Sequence, residues 1–306
     1  PARPDFGQFS FAGETGDGWS DRALMNTDKN NWAPRIGLAY QLTDKLLIRA
    51  AAGLFYGGYD RTGTASRGFA NWPFNVRKTL NATPSTPAVM LSDGVPADFL
   101  DPGETLPANS NLYHWSTEYP LTQVGQWNLS IQRQITNSTV FKAAYVGSST
   151  SYVHGSYNWN APFIGDPKTE KQRRVFPSIA GIDYHTPLGH ASYNGLSLQL
   201  ERRLSAGFAF TAAYTWAKTI SNENEQFGEG LGMQDPWNWA NNRSVIGLAP
   251  SQRFVASYIW ELPFGKGRRW LSSGGAVDAV LGGWQLNGIV SMRTGLLYNP
   301  TLANPQ

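Results

Sequence analysis

The stretch Tyr193 to Ala217, YNGLSLQLERRLSAGFAFTAAYTWA, constrains the fold most, because a two-residue rhythm runs through it twice around a tight turn. Leu196, Leu198 and Leu200 alternate with Ser197, Gln199, Glu201 and Arg203. Side chains that switch face at every residue belong to a strand, here with one apolar and one polar side. After Ser205-Ala206-Gly207 the rhythm restarts, with Phe208, Phe210, Ala212, Tyr214 and Trp216 opposite Ala209, Thr211, Ala213 and Thr215. A short link containing Gly between two such runs predicts a hairpin. Tyr214 and Trp216 at the end of the apolar row place amphipathic rings where a membrane-crossing strand meets the headgroups.

Three more hairpins follow the same grammar. Ile36, Leu38 and Tyr40 lead through Thr43-Asp44-Lys45 to Leu46, Ile48, Ala50, Ala52, Leu54 and Tyr56. Trp127, Leu129 and Ile131 lead through Thr136-Asn137-Ser138 to Phe141, Ala143 and Tyr145. Phe254, Ala256, Tyr258 and Trp260 are followed, after a Gly- and Arg-rich turn and a short helix near Ala276 to Leu281, by Trp284, Leu286, Gly288, Val290 and Met292. Phe6, Phe9 and Phe11 suggest one further short strand. Between the hairpins lie stretches without a sustained period: 57–121, 148–191 and 220–250. Such lengths are unusual inside a compact soluble domain but expected of the outer loops of a transmembrane barrel.

Composition agrees with strands between lipid and water. Charged residues make up 15% and mean hydropathy is -0.36, whereas soluble domains carry about 25% charge. A barrel with a lipid-facing exterior and a polar interior combines few charges with modest hydropathy. No run approaches the roughly 18 apolar residues of a membrane helix. There is no Cys, so disulfide scaffolds and Cys-ligated metals are excluded. A net charge of +3, with Lys266, Arg268 and Arg269 read as a solvated turn, gives no footprint for nucleic acid. The chain starts at Pro1 without Met or a signal peptide, so it is expected to be a piece of a longer protein.

The segments APRIGLAYQLTDKLLIRAAAGLFY (Ala33 to Tyr56), QWNLSIQRQITNSTVFKAAYVGS (Gln126 to Ser148), ASYNGLSLQLERRLSAGFAFTAAYTWAKTISN (Ala191 to Asn222), QRFVASYIWELPFGKGRRW and GGWQLNGIVSMRTG (within Gln252 to Gly295) resemble the C-terminal barrel of Oar-like TonB-dependent transporters of the acidobacterial type. The resemblance covers most of the chain and keeps the order of the elements. It implies an all-β, antiparallel, up-and-down transmembrane barrel spanning 1–306. About eight or nine strands of a larger barrel of about 22 would be present, with short periplasmic turns and long extracellular loops. It further implies outer-membrane lipid as surroundings, a TonB complex as partner of the full-length protein, and gated uptake of an unidentified substrate without covalent chemistry.

The chemistry-bearing residues fit that expectation. His185 and His190 are five apart, which suits neither a helical nor a strand pair of metal ligands, and with His154 they read as solvated loop histidines. Gly228, Gly230 and Gly232 follow no strand and open no clear helix, so they make no dinucleotide site. Glu223, Glu225, Glu229 and Asp235 read as an acidic solvated loop. Catalytic, cofactor-binding and metal-binding residues are therefore expected to be none. Gln132, Gln199, Glu201, Arg203, Gln285 and Arg293 face a polar interior, where they hydrogen-bond one another and a plug or line a solute path. Trp127, Trp216, Trp260 and Trp284 are expected at the lipid interface. Trp159 and Trp237 either pack within their loops or stack on a ligand. A self-contained small pore or adhesin would pair its first strand with its last. A soluble glycan-binding β protein would bury Phe208, Phe210 and Tyr214 under a second layer.

Overall fold

The computed structural model describes residues 26–57, 71–72, 75, 82–88, 90, 92, 94, 101, 106–162, 174–222, 235–246, 250–272 and 275–297. The expected strand at Phe6 to Phe11 lies outside them, as do Gly228, Gly230, Gly232, Glu223, Glu225 and Glu229. The described residues form one ten-stranded sheet. Its strands are β1 (Arg35–Thr43), β2 (Leu46–Gly57), β3 (Ser110–Trp115), β4 (Thr122–Gln134), β5 (Thr139–Asn158), β6 (Ile179–Ser205), β7 (Phe208–Ser221), β8 (Ser244–Val245), β9 (Gln252–Glu261) and β10 (Gln285–Arg293). A one-turn helix, α1 (Ala276–Leu281), precedes β10, and no helix among the described residues is long and apolar enough to cross a membrane.

Along the main path the order is β1-β2-β4-β5-β6-β7-β9-β10, with every pair antiparallel. Successive strands are neighbours, as in an up-and-down barrel wall. All four expected hairpins are present. The β6–β7 turn is tight because Ala206 and Gly207 both adopt left-handed backbone, φ 53 and φ 78, which matches the twist of the strands it joins. β1 and β10 end the order and do not pair with each other. The described sheet is therefore open, and the closure required of a self-contained pore is not seen.

Register turns the alternation of each strand into rows across the sheet. Tyr40, Ile48, Ile131, Ala143, Leu198, Tyr214, Phe254 and Met292 are successive cross-strand partners through all eight strands of the main path. One face thus carries an unbroken apolar row, and its ends are open, with Tyr40 56% and Met292 62% exposed. On the other face Gln132, Lys142, Gln199, Ala213, Val255 and Ser291 form one row, and Arg49, Ser130, Ala144, Ser197, Thr215, Arg253 and Arg293 the next. A slip of one residue would exchange these faces, so burial of the apolar row in lipid fixes the register. Phe208, Phe210 and Tyr214 are only half-buried, and the described strands form a single sheet, unlike the two layers of a sandwich.

Two strands are much longer than a crossing needs. About 9–11 residues span the hydrocarbon, whereas β5 has 20 residues and β6 has 27. Their excess stands beyond the apolar rows at the end where the long connections lie. This corrects the expectation of an irregular stretch over 148–191. It also corrects the one over 57–121, because β3 adds to β6 there as a parallel strand. The buried hydrophobic residues among those described, Leu112, Tyr119, Trp159 and Ile182, all lie in this projection. The wall has no packed interior of its own, and the projection has a small one.

Candidate functional site

The wall contributes the first part of the site, its polar face. Gln132 and Gln199 flank Lys142 in one row, and Ser291 ends it. Arg293 pairs with Arg253, while Glu201 lies between Val140 and Thr211. Arg203 follows Glu201 on the same face, and its backbone N–H donates to the Ser138 carbonyl at 2.9 Å. Gln285 donates from Nε2 to Oδ1 of Asn287 at 2.9 Å, so part of this face satisfies itself. All six residues expected to face the interior share the side opposite the apolar row. Amides, hydroxyls and cations in that arrangement can hydrogen-bond a polar solute or a packed domain.

The lipid-side tryptophans form two levels. Trp216 pairs with Leu196 and Trp127 with Gly147, toward the long connections. Trp260 pairs with Phe208 and Leu286, toward the short turns, and Trp284 precedes β10 on the same parity. Trp216 lies eight residues along β7 from Phe208, about 27 Å of strand, or ~20 Å along the normal at a tilt of about 40°. Trp216 is 57% and Trp284 61% exposed. Aromatic rings bracketing an apolar band are the pattern of a transmembrane barrel.

The projection forms the second part, and its centre is a set of stacked rings. Trp115 ends β3 and pairs with His185 of β6. Its ring stacks on His185 at 4.3 Å between centroids and on His154 at 5.4 Å. His154 reaches this position through breaks in the β5–β6 ladder: Ser151 pairs with His190, Val153 with Gly189 and Gly155 with Thr186. Pro187 sits at the second break and has no N–H to give to the ladder. At the first, Tyr152 adopts left-handed backbone, φ 61. Bulges of this kind re-aim side chains, and here they turn His154 onto His185.

A linear relay of polar contacts runs through the rings. Tyr119 hydrogen-bonds Nδ1 of His154, and Nε2 of His154 lies 3.3 Å from Nδ1 of His185. Nε2 of His185 lies 3.3 Å from Oδ2 of Asp183, off the line of a well-formed hydrogen bond. The ring nitrogens face complementary groups when Tyr119 donates to His154, His154 donates to His185, and the last N–H points toward the carboxylate. His185 is completely buried and His154 nearly so. The expectation of solvated loop histidines therefore fails for these two, because both lie on strands under the Trp115 ring. His190 is exposed, and its N–H donates to Asn222 at 2.6 Å. Among the described residues no group of three or more His, Cys, Asp or Glu side chains is arranged to hold a metal ion.

Beside the relay, Leu112, Trp159 and Ile182 pack together. Asn160, with no exposed surface, donates from Nδ2 to the carbonyls of Phe176 at 3.0 Å and Ile179 at 2.9 Å, and its Oδ1 accepts from the Phe176 N–H at 2.9 Å. One amide thereby closes the link between β5 and β6. Trp237 meets Trp159 edge-on at 6.3 Å, and Trp239 meets Tyr157 at 5.3 Å. Trp159 thus packs within the projection rather than presenting a stacking platform. Asp235 caps its own turn, accepting from the Trp237 N–H at 2.9 Å. Partial desolvation lowers the His114 pKa, although the residue remains exposed. Burial, with Tyr184 alongside, pushes Tyr157 up to about 12.

Comparisons with known proteins follow the same line. The family model described as an outer membrane beta barrel domain matches residues 2–306. No curated protein sequence matches the chain. Among solved structures it is similar to the outer membrane transporter YddB from Escherichia coli, with 11% identity, a TM-score of 0.43, and coverage of 74% of this chain and 26% of that one. It is also similar to the alcaligin outer membrane receptor FauA from Bordetella pertussis, with 14% identity, a TM-score of 0.40, and coverage of 88% and 30%. For the FrpB iron transporter from Neisseria meningitidis, F3-3 variant, the values are 9%, 0.36, 86% and 32%. The chain spans about a quarter to a third of the length of these proteins.

Proposed function

Because the chain belongs to the family of outer membrane beta barrel domains, we propose that its 306 residues form part of the wall of an Oar-like TonB-dependent transporter. The wall places apolar side chains against outer-membrane lipid and polar side chains toward a passage. A periplasmic TonB complex would supply the energy that opens the passage to a substrate, and the work is binding and gated transit without covalent chemistry. The observation that carries this reading is the apolar row from Tyr40 to Met292, unbroken across eight strands and backed by rows of Gln, Ser, Thr, Lys and Arg. Among the described residues β1 and β10 are the edges of the sheet, which favours a larger wall, since unpaired backbone groups are too costly to leave in lipid.

Single cysteines at adjacent positions of β6 test this in cells making the full-length protein. A water-soluble, membrane-impermeant maleimide is expected to label Gln199→Cys only while an active TonB complex is present, and to leave Leu198→Cys unlabelled. Labelling of Gln199→Cys regardless of TonB would indicate a passive pore. Labelling of both positions would remove the membrane reading altogether.

A further inference from the structure

The connection between β9 and β10, residues 262–284, differs from the other links at the short-turn end. It is long, and it is internally built. Phe264 and Trp270 form a bridge, the Gly265 N–H donates to the Trp270 carbonyl at 2.9 Å, and the Trp270 N–H donates to the Pro263 carbonyl at 2.9 Å. Asp278, in α1, accepts the Lys266 N–H at 2.6 Å. The Trp284 indole donates to the Val280 carbonyl at 2.7 Å. Stretches hydrogen-bonded in this way ordinarily turn their large apolar side chains inward. Here Trp270, Leu271, Val280, Leu281 and Trp284 are 55%, 46%, 66%, 47% and 61% exposed.

Two observations indicate what covers them. The first is continuity: Leu262 donates its N–H to the Trp284 carbonyl at 2.8 Å, which extends the β9–β10 ladder below the Trp260–Leu286 pair of the lipid-facing side. The second is charge. Lys266, Arg268 and Arg269 accompany the patch. Arg268 is paired with Glu261 at 2.9 Å, while the Arg269 guanidinium lies 5.5 Å from the Trp270 ring centroid. Apolar and indole side chains mixed with cations, at the level where an apolar belt ends, match the boundary between acyl chains and phosphates. Arginine there can grip a phosphate with two parallel hydrogen bonds.

Resting on the reading of the wall as membrane-spanning, we infer that residues 262–272 and 275–284 dock onto the periplasmic leaflet of the outer membrane, seating Trp270, Leu271, Val280 and Leu281 among acyl chains and Lys266 and Arg269 against phospholipid phosphates. The segment is thus a surface anchor.

The test uses the full-length protein in vesicles of phosphatidylethanolamine and phosphatidylglycerol, with its only cysteine placed at Val280, Asn137 or Leu198 and carrying an environment-sensitive fluorophore. Quenching by lipids spin-labelled high on the acyl chain is expected to be severalfold stronger at Val280→Cys than at Asn137→Cys, in the β4–β5 turn, with aqueous iodide showing the reverse. Replacing Lys266 and Arg269 by Gln is expected to reduce the lipid quenching at Val280→Cys and to remove its dependence on phosphatidylglycerol. If iodide reaches Val280→Cys as readily as Asn137→Cys while Leu198→Cys still reports lipid, the anchor is overturned and the wall stands. If Leu198→Cys is also open to iodide, the membrane reading itself has failed.

Discussion

Nε2 of His154 and Nδ1 of His185 lie 3.3 Å apart, although neither residue is the other's partner in the β5–β6 ladder, where His185 is opposite Ser156. The contact exists because the ladder steps past Pro187, and Trp115 from a third strand covers both rings. Its consequence is that three strands share one buried polar centre. Such a centre stabilises when every member is satisfied and destabilises sharply when one is lost.

Replacement of His185 by Leu removes the ring nitrogen that Nε2 of His154 faces at 3.3 Å and the one beside the Asp183 carboxylate. The expected loss is about 1–3 kcal/mol for disrupting a buried polar network, confined to the projection. Limited proteolysis of the full-length protein in vesicles is expected to cut within β5 or β6 beyond the membrane band at least ~5-fold faster than wild type, while the unheated protein keeps its folded mobility on a gel. Unchanged protection would show that the relay contributes nothing.

Acid acts on the projection through His114, an exposed residue whose ring stacks on Tyr184 at 5.1 Å and whose partial desolvation lowers its pKa from 6.5, an effect that solvent keeps small. The unfolded chain then binds a proton at a higher pH than the folded one. This contribution to stability is present above pH 6.5 and is lost as pH falls through the folded value. Hydrogen exchange of β3 amides, corrected for intrinsic rates, is expected to speed up between pH 7.5 and pH 5, and His114→Phe to flatten that dependence.

Alkali acts through Tyr157, held up to about 12 against an ordinary 10.0. Here the folded state keeps its proton longer, so stability is complete below pH 10 and declines as pH rises toward 12. The absorbance change of the phenolate in wild type minus Tyr157→Phe should therefore appear above pH 11. A midpoint near 10 would mean that the projection is open.

Leu198 and Gln199 offer the sharpest comparison, because one step along β6 exchanges lipid for the polar interior. Arginine at Leu198, in the middle of the apolar row, is expected to cost roughly 2–4 kcal/mol of barrel stability. Arginine at Gln199, beside Lys142 and Ala213, is expected to cost under ~1 kcal/mol. Urea titration of folding into vesicles measures both, and equal costs would contradict the assignment of faces.

The wall was readable because each of its strands carries its pattern locally. Leu196, Leu198 and Leu200 need no knowledge of their partners to declare a face, and the same holds for Gln199 and Glu201 opposite them. The projection was not readable for the converse reason. Ser148-Ser149-Thr150-Ser151 shows no alternation of polarity, Pro187 and Gly189 look like loop formers, and β3 is held to β6 by parallel pairing across 69–70 residues. Trp115, Tyr119, His154 and His185 come from separate parts of the sequence, so no local period brings them together. The alternation of Ile182 and Tyr184 with Asp183 and His185 was the available signal for the start of β6, and the bulges near Pro187 masked its continuation.

β6 is bonded on its flanks to β3, β5 and β7 and, although its ladder with β5 steps past Pro187, stays one continuous strand from the short turn at one end to the ring stack at the other. Anything that grips the outer relief therefore pulls on a rod rooted in the bilayer rather than on a slack tether.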